Sequence, residues 1–233
     1  MEGIMPITSE ENLNDDTSLT AETSVSTDLS ELDMAALEKI EALQVDELRK
    51  RRSIIPANTA HYRLQPGYHG GSNVFFNRNG ADYRYSLTDG VYGSMYLAYT
   101  PITSMKEVFQ KKKALKESDL DNYYMGTVVI EKDVDILQLN ELISATTLTL
   151  HDVTTPTRAV TQRLAAKIHA AGFDGMEYLS NVTGEVCLVL WHDSPSGTGM
   201  AKTAAQEQLS NFEYKGKNAA DILTWDLGIP VNM

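Results

Sequence analysis

Toward the C-terminus the chain switches from a helical to a strand-like hydrophobic period, and that switch marks its best-defined elements. Val160, Leu164, Ile168 and Ala171 fall on one helical face and Gly172 supplies a stop, which predicts a helix over residues 157–170. Asp174-Gly175 then reads as a tight turn opening a short strand. Residues 180–184 form a polar break, and an almost wholly apolar strand follows to Trp191. The break leaves a small hydroxyl, Ser180, at the exit of a buried strand. Upstream, Leu32, Ala36, Ile40, Leu43 and Leu48 make a helical stripe over residues 31–52, with Ser30 and Asp33 as a capping signal and Pro56 as the stop. Strands are predicted at residues 61–64, 74–76, 95–98, 124–130 and 134–138, and helices at 101–116 and near 202–209. Strands and helices mix without regular βαβ alternation, so the expected class is α+β.

Polarity sets the expected organisation. Residues 1–29 carry no aromatic residue and scattered aliphatics, too little apolar surface to offset ordering, and read as an acidic disordered arm. An amphipathic helix and linker over 30–56, a body over 57–195 and a C-terminal extension over 196–233 complete the division. The net charge of −12 is concentrated at one end: residues 1–47 hold thirteen acids and one lysine, and the remainder holds nineteen acids and nineteen bases. A neutral body argues against direct nucleic-acid binding, which needs a basic face. A partner-binding arm of this kind would be dispensable, so catalysis is expected to survive removal of residues 1–52.

Several chemistries drop out on spacing. The single Cys187 excludes an internal disulfide and fits a reducing compartment, and its apolar neighbours suggest an inert thiol. The five histidines lack metal-ligand spacing, so no metal is expected. Ser196 to Thr203 lacks the glycine that a phosphate loop places before its lysine, and no Gly-x-Ser-x-Gly elbow occurs. No apolar run approaches the roughly 18–20 residues of a membrane span, and the acidic N-terminus is unlike a signal peptide. The expectation is a soluble cytoplasmic protein with no membrane partner.

Arg63, Arg84, Tyr96, Glu107 and Ser180 remain, drawn from separate elements. Singly each has a plain reading: a surface ion pair for Arg63, a solvated helix position for Glu107, a core ring for Tyr96, a turn cap for Ser180. Together with their flanks they resemble the RES domain, the family named for its Arg, Glu and Ser. The resemblance runs over residues 60–193 through Tyr62-Arg63-Leu64, Tyr83-Arg84-Tyr85-Ser86, Met95-Tyr96-Leu97-Ala98, the helix with Glu107, and the segment from Thr161 to Trp191. The Arg84 segment departs from the family's usual Gly-x-Arg-Trp/Phe-Asn pattern, and Arg78 is a rival for its role.

The resemblance implies an ADP-ribosyltransferase-like twisted, split β-sheet core with flanking helices, and a toxin that consumes NAD⁺. It implies Arg63, Glu107 and Ser180 as catalytic, with Arg84, Tyr96 and Tyr85 binding substrate. NAD⁺ is then substrate rather than cofactor, and inorganic phosphate is a co-substrate if cleavage is by phosphorolysis rather than hydrolysis. Paired guanidinium groups suit a pyrophosphate, aromatic rings suit the flat nicotinamide cation, and a carboxylate suits the positive charge that builds on the ribose. The implied partner is a cognate antitoxin or immunity protein, and the place of action is the cytoplasm, of the producing cell or of a target cell. Mono-ADP-ribosyl transfer to a macromolecule and a catalytically degenerate interaction module remain as alternatives.

Overall fold

The structure, a computed structural model, describes residues 29–80 and 83–232, so all but the last residue of the expected acidic arm lies outside the described residues. Two helices, α1 (Glu31–Ala42) and α2 (Val45–Arg49), lead into β1 (Arg52–Ile55) and β2 (Ala60–Pro66). A long loop precedes β3 (Gly93–Ala98) and α3 (Pro101–Phe109), and then come the short β4 (Leu115–Lys116) and α4 (Glu117–Leu120). β5 (Tyr123–Ile130) and β6 (Val134–Gln138) follow, then α5 (Leu139–Ala145), α6 (Leu150–Thr154) and α7 (Arg158–Ala170). β7 (Gly175–Leu179), β8 (Val186–His192) and β9 (Ala201–Gln208) complete the main sheet.

Eight strands form one sheet in the order β1-β6-β7-β8-β3-β2-β5-β9. All neighbours are antiparallel except β6 and β7. The ladder is nearly broken at its middle. β3 pairs with β8 through six residues and β2 with β5 through seven, yet β2 and β3 meet only at Tyr62 opposite Ala98. The sheet is therefore split, and the class is α+β.

Alternation along the strands sorts the side chains. Met95 and Leu97 of β3, Leu188 and Leu190 of β8 and Ile136 of β6 pack with Val128 and Ile130 of β5, so the two halves close on a shared core. The opposite face of the first half, with Leu137, Met176, Val189 and Trp191, is covered by Val160, Leu164 and Ile168 of α7 and by Ala36 and Ile40 of α1. A third cluster joins Leu64 and Met125 to Met105 and Phe109 of α3, and is capped by Ile222, Leu223 and Ile229 near the C-terminus. No helix among the described residues is long and apolar enough to cross a membrane.

The helix at 157–170 and the strands at 61–64, 95–98, 124–130 and 134–138 form as the pattern predicts. The helix expected over 31–52 does not run through: Leu43 and Gln44 take extended ψ values of 129° and 148°, and Gln44 and Glu47 then form a capping box for α2. Arg52 belongs instead to β1, which pairs with β6 and places Arg52 beside Asp135. α1 and α2 are core elements, since Ala36 and Ile40 of α1, the linking Leu43 and Leu48 of α2 are all buried in the cluster that holds α7. Removal of residues 1–52 would therefore strip these buried contacts of the described residues from the core.

Residues 202–209 form the edge strand β9 and not a helix, their side chains alternating against β5. Residues 74–76 form no strand, though Val74 and Phe76 are buried. The helix opened by Pro101 ends at Phe109, short of the expected 116.

His61 of β2 is fully buried, neither ring nitrogen has a hydrogen-bond partner among the described residues, and its ring meets the edge of Tyr99 at 4.7 Å. Burial pushes its pKa down to about 4. The unfolded chain takes that proton near pH 6.5, about two units before the folded chain does, so it binds more protons throughout that window. Stability is thus full above about pH 6.5 and falls as the pH drops toward 4. Denaturant midpoints measured from pH 7 to 4 should decline, and His61→Leu should flatten the decline; an unchanged slope in that variant would contradict the assignment.

Candidate functional site

Where β2 and β3 part, the structure holds a cavity of about 600 Å³, within the roughly 300–1,000 Å³ of small-molecule sites. Its walls are Tyr62 to Gln65 from β2, Tyr96 to Ala98 from β3, α3 from Ser104 to Val108, and the start of α7. Tyr178 and Cys187 come from β7 and β8, and the turn between those strands contributes Asn181 and Val182.

α3 sits at the parting for local reasons. Thr100 caps it by accepting from the Thr103 amide at 3.1 Å, and Pro101 occupies its first turn, where a missing N–H costs nothing. Ser104 then accepts the Leu64 backbone N–H at 2.7 Å, replacing the partner that β3 does not supply. Glu107 lies three residues on, the same helical face, and so enters the cleft. Its charge bears on Cys187 and Tyr178. Burial first, and Glu107 after it, pushes the Cys187 thiol up to about 12, so the thiol stays protonated and inert.

Arg84 lines the same cavity. The Asn181 amide, oriented with its oxygen toward the guanidinium, accepts from Nη1 and Nη2 at 2.9 and 3.1 Å. Tyr96 donates its hydroxyl to the Arg84 carbonyl at 2.8 Å, and its oxygen lies 3.0 Å from Ser86 Oγ, which leaves the half-buried ring against the cavity. The rival Arg78 points elsewhere, bonding the Asp193 carbonyl, and lies outside the lining.

The other expected residues are more committed to scaffold. Arg63 lines the cleft, but its Nη1 donates to the carbonyls of Asn73 and Phe75 at 2.9 and 3.1 Å. Asn73 returns a bond from its amide to the Arg63 carbonyl at 3.0 Å, tying loop 72–76 to β2. Gly126 makes room: a Cβ there would stand 2.1 Å from Asn73 Cγ. Burial pushes the Arg63 guanidinium down to about 10, which still leaves it charged at neutral pH.

Tyr85, with φ at 61°, borders the cavity from within the core at 1% exposure. Its hydroxyl donates to the Val153 carbonyl and its own carbonyl accepts the Trp191 indole N–H. Its polar groups are thus used by the scaffold, and its ring lies 4.9 Å from that of Tyr178. Ser180 is buried and outside the lining, and its Oγ accepts from the Val182 and Thr183 amides at 3.0 Å each. It shapes the turn that carries Asn181.

Sequence reasoning did not single out Arg158, Lys111, Tyr83, Tyr178 or Asn181 for this site. Of these only Arg158 was conspicuous, as a cation in the first turn of a helix, where the dipole disfavours it. Among the described residues the charged lining consists of Arg63, Arg84, Lys111 and Arg158 around the single carboxylate of Glu107. The folded body is neutral, so this cleft gathers positive charge and suits an anionic ligand.

A family model described as RES domain matches residues 57–211, more than half of the chain. Among curated proteins none matches the sequence. Seven chains of solved structures match. One is a chain of the M. tuberculosis MbcT-MbcA toxin-antitoxin complex, superposing with a TM-score of 0.53 at 20% identity over 76% of this chain and 93% of that one. At this identity the likeness is one of fold.

The geometry at Ser180 makes a separate prediction. Ser180→Ala frees two backbone amides in a tight turn, a loss of about 1 kcal/mol, and should lower the melting temperature by roughly 2–4 °C for a chain of this size. Calorimetry of the variant checks this; no change would mean that the hydroxyl does not hold the turn.

Proposed function

Since the chain belongs to the RES domain family, we propose that it is a toxin enzyme that cleaves the nicotinamide–ribose bond of NAD⁺. The observation that carries this reading is the cleft itself: among the described residues, four cations and one carboxylate line about 600 Å³, walled by aromatic rings. A dinucleotide offers a pyrophosphate for the cations and a flat nicotinamide ring for an aromatic wall.

In the proposed reaction the bond between ribose C1′ and the nicotinamide nitrogen breaks, and its electron pair leaves with nicotinamide. The ribose acquires oxocarbenium character, and Glu107 stabilises that charge. Water or inorganic phosphate then forms the new bond at C1′, losing a proton in the hydrolytic case. Arg84, held by Asn181, faces the anionic portion of the substrate. Tyr96 offers its ring, because its hydroxyl is already engaged. Arg63 and Ser180 contribute by holding loop 72–76 and the turn at Asn181 in place. The reaction would act on cytoplasmic NAD⁺.

A cognate antitoxin is the proposed partner. The MbcT-MbcA structure is that of a toxin-antitoxin complex. Here the mouth of the cleft carries exposed apolar groups, Phe75 at 52% and Tyr83 at 54%, which a segment of an inhibitor could cover.

Incubation of the purified full chain with NAD⁺, with and without phosphate, should release nicotinamide. Glu107→Gln should lower kcat by about 10²–10³-fold while NAD⁺ binding changes little. Free ADP-ribose identifies hydrolysis, its 1″-phosphate identifies phosphorolysis, and label retained on a macromolecule identifies transfer. An intact NAD⁺ pool with wild-type protein, or full activity in Glu107→Gln, would overturn the proposal.

A further inference from the structure

We propose that Lys106 is a positioning residue for Glu107, and that the C-terminal segment 222–232 is the clamp through which it acts. The inference rests on the NAD⁺ reading of the cleft, in which Glu107 serves the ribose, and it assigns the part of the chain that holds that carboxylate in place. Glu107 occupies a mechanically weak position. α3 has nine residues, and Lys106, Glu107 and Phe109 belong to its last turn. The last carbonyls of a helix have no partner along the helix, so its end frays unless other groups take them up. The Thr100 cap and the Ser104 bond to the Leu64 amide fix the earlier part of α3.

Two side-chain bonds secure the last turn. Gln110 Nε2 donates to the Glu107 carbonyl at 2.9 Å, a local cap. Lys106 reaches out of the helix, and its ammonium donates to the Leu227 carbonyl at 2.8 Å, 121 residues further along the chain. A charged donor makes this one of the stronger kinds of hydrogen bond. Successive residues of a helix point about 100° apart, so Lys106 is tethered away from the cleft while Glu107 turns toward it. Tethering Lys106 fixes the rotation of α3 about its own axis. That rotation is the motion that swings Glu107 toward or away from the cavity it lines.

The accepting carbonyl is itself held firmly. The Leu227 amide donates to the Ile222 carbonyl at 3.1 Å, and the Ile229 amide donates to the Leu223 carbonyl at 2.8 Å. Ile222, Leu223 and Ile229 are buried in one cluster with Met105 and Phe109, the residues that flank the Lys106–Glu107 turn. Further on, Val231 and Asn232 pair in parallel with Leu115 and Lys116 of β4, and the Leu115 amide donates to the Pro230 carbonyl at 2.9 Å. One segment therefore grips the stretch 106–116 at both ends. Glu107, Val108, Gln110 and Lys111, all in the cavity lining, lie between the two grips. The gripping segment lies outside the span matched by the family model.

Two measurements on the full chain test the assignment, one of them independent of any substrate. Hydrogen exchange read by mass spectrometry should show the peptide over residues 107–112 exchanging about tenfold faster in Lys106→Met, with β5 and α7 unchanged. Lys106→Arg keeps a charged donor and should restore most of that protection. Lys106 is only half-buried, so neither variant opens the core. In nicotinamide release from NAD⁺, Lys106→Met should lower kcat about tenfold with KM little changed, because the carboxylate is misplaced while the substrate still binds. Lys106→Arg should recover kcat. Unchanged exchange over 107–112 in Lys106→Met would overturn the clamp. Faster exchange with kcat unaltered would leave Lys106 a purely structural residue, and a rise in KM alone would place it in substrate binding; either overturns the positioning role while the NAD⁺ reaction stands. Faster exchange, reversed in Lys106→Arg, in a protein that leaves NAD⁺ intact would sink the proposed reaction and keep the clamp.

Discussion

The structure turns on a single missing ladder. A strand that loses its neighbour leaves backbone N–H and C=O groups that must find other partners, because burying them bare costs on the order of 1–3 kcal/mol each. Beyond Tyr62 opposite Ala98, β2 has no pairing from β3. Ser104 takes up the Leu64 amide from the α3 side, and the Asn73 side chain takes up the Arg63 carbonyl from the loop side. Those two substitutions decide where α3 and loop 72–76 lie, and they hold the cleft open between them. Glu107 follows from the first and Arg63 from the second.

Support for the site comes from both ends of the chain. α1 anchors the entry to α7 through Asp33 and Lys39. Beyond residue 211, where the family match ends, Ile222, Leu223 and Ile229 pack on Met105 and Phe109 of α3, and Lys106 donates to the Leu227 carbonyl at 2.8 Å. The helix that carries the carboxylate and the helix that begins with Arg158 are thus each braced by a segment outside the matched span.

Much of the fold was legible where one period dominates. Val160, Leu164 and Ile168 repeat at helical spacing and are buried, so α7 was readable. β7 and β8 were readable from the Asp174-Gly175 turn, the polar break between them and the apolar run of β8. β9 was not, because an edge strand with one exposed face carries few apolar residues, and Ala201 to Gln208 is dominated by Ala and Gln. The α1–β1 region was misjudged for a different reason: Ile40 and Leu48 keep a helical i, i+8 spacing across a break, so burial is preserved while the backbone turns. Within the site, Arg63, Arg84, Tyr96 and Glu107 could be gathered from their flanking patterns, and the structure brings all four to the cleft. Tyr85 and Ser180 belong to the same segments, yet their polar groups are used by the scaffold, which only the hydrogen-bond partners reveal. Arg158 and Asn181 were missed as lining residues of the cleft because that placement depends on which element faces which, and no local period encodes it.

The one-residue seam between β2 and β3 also bears on how such a site can diversify. Cleft width here is set by Ser104, Asn73 and the glycine that admits Asn73, not by a full row of paired strands. A substitution at those positions alters the aperture while each half-sheet keeps its own ladder and core. Change in the ligand accepted is thereby uncoupled from loss of the fold, and the seam gives selection a place to act without dismantling the molecule.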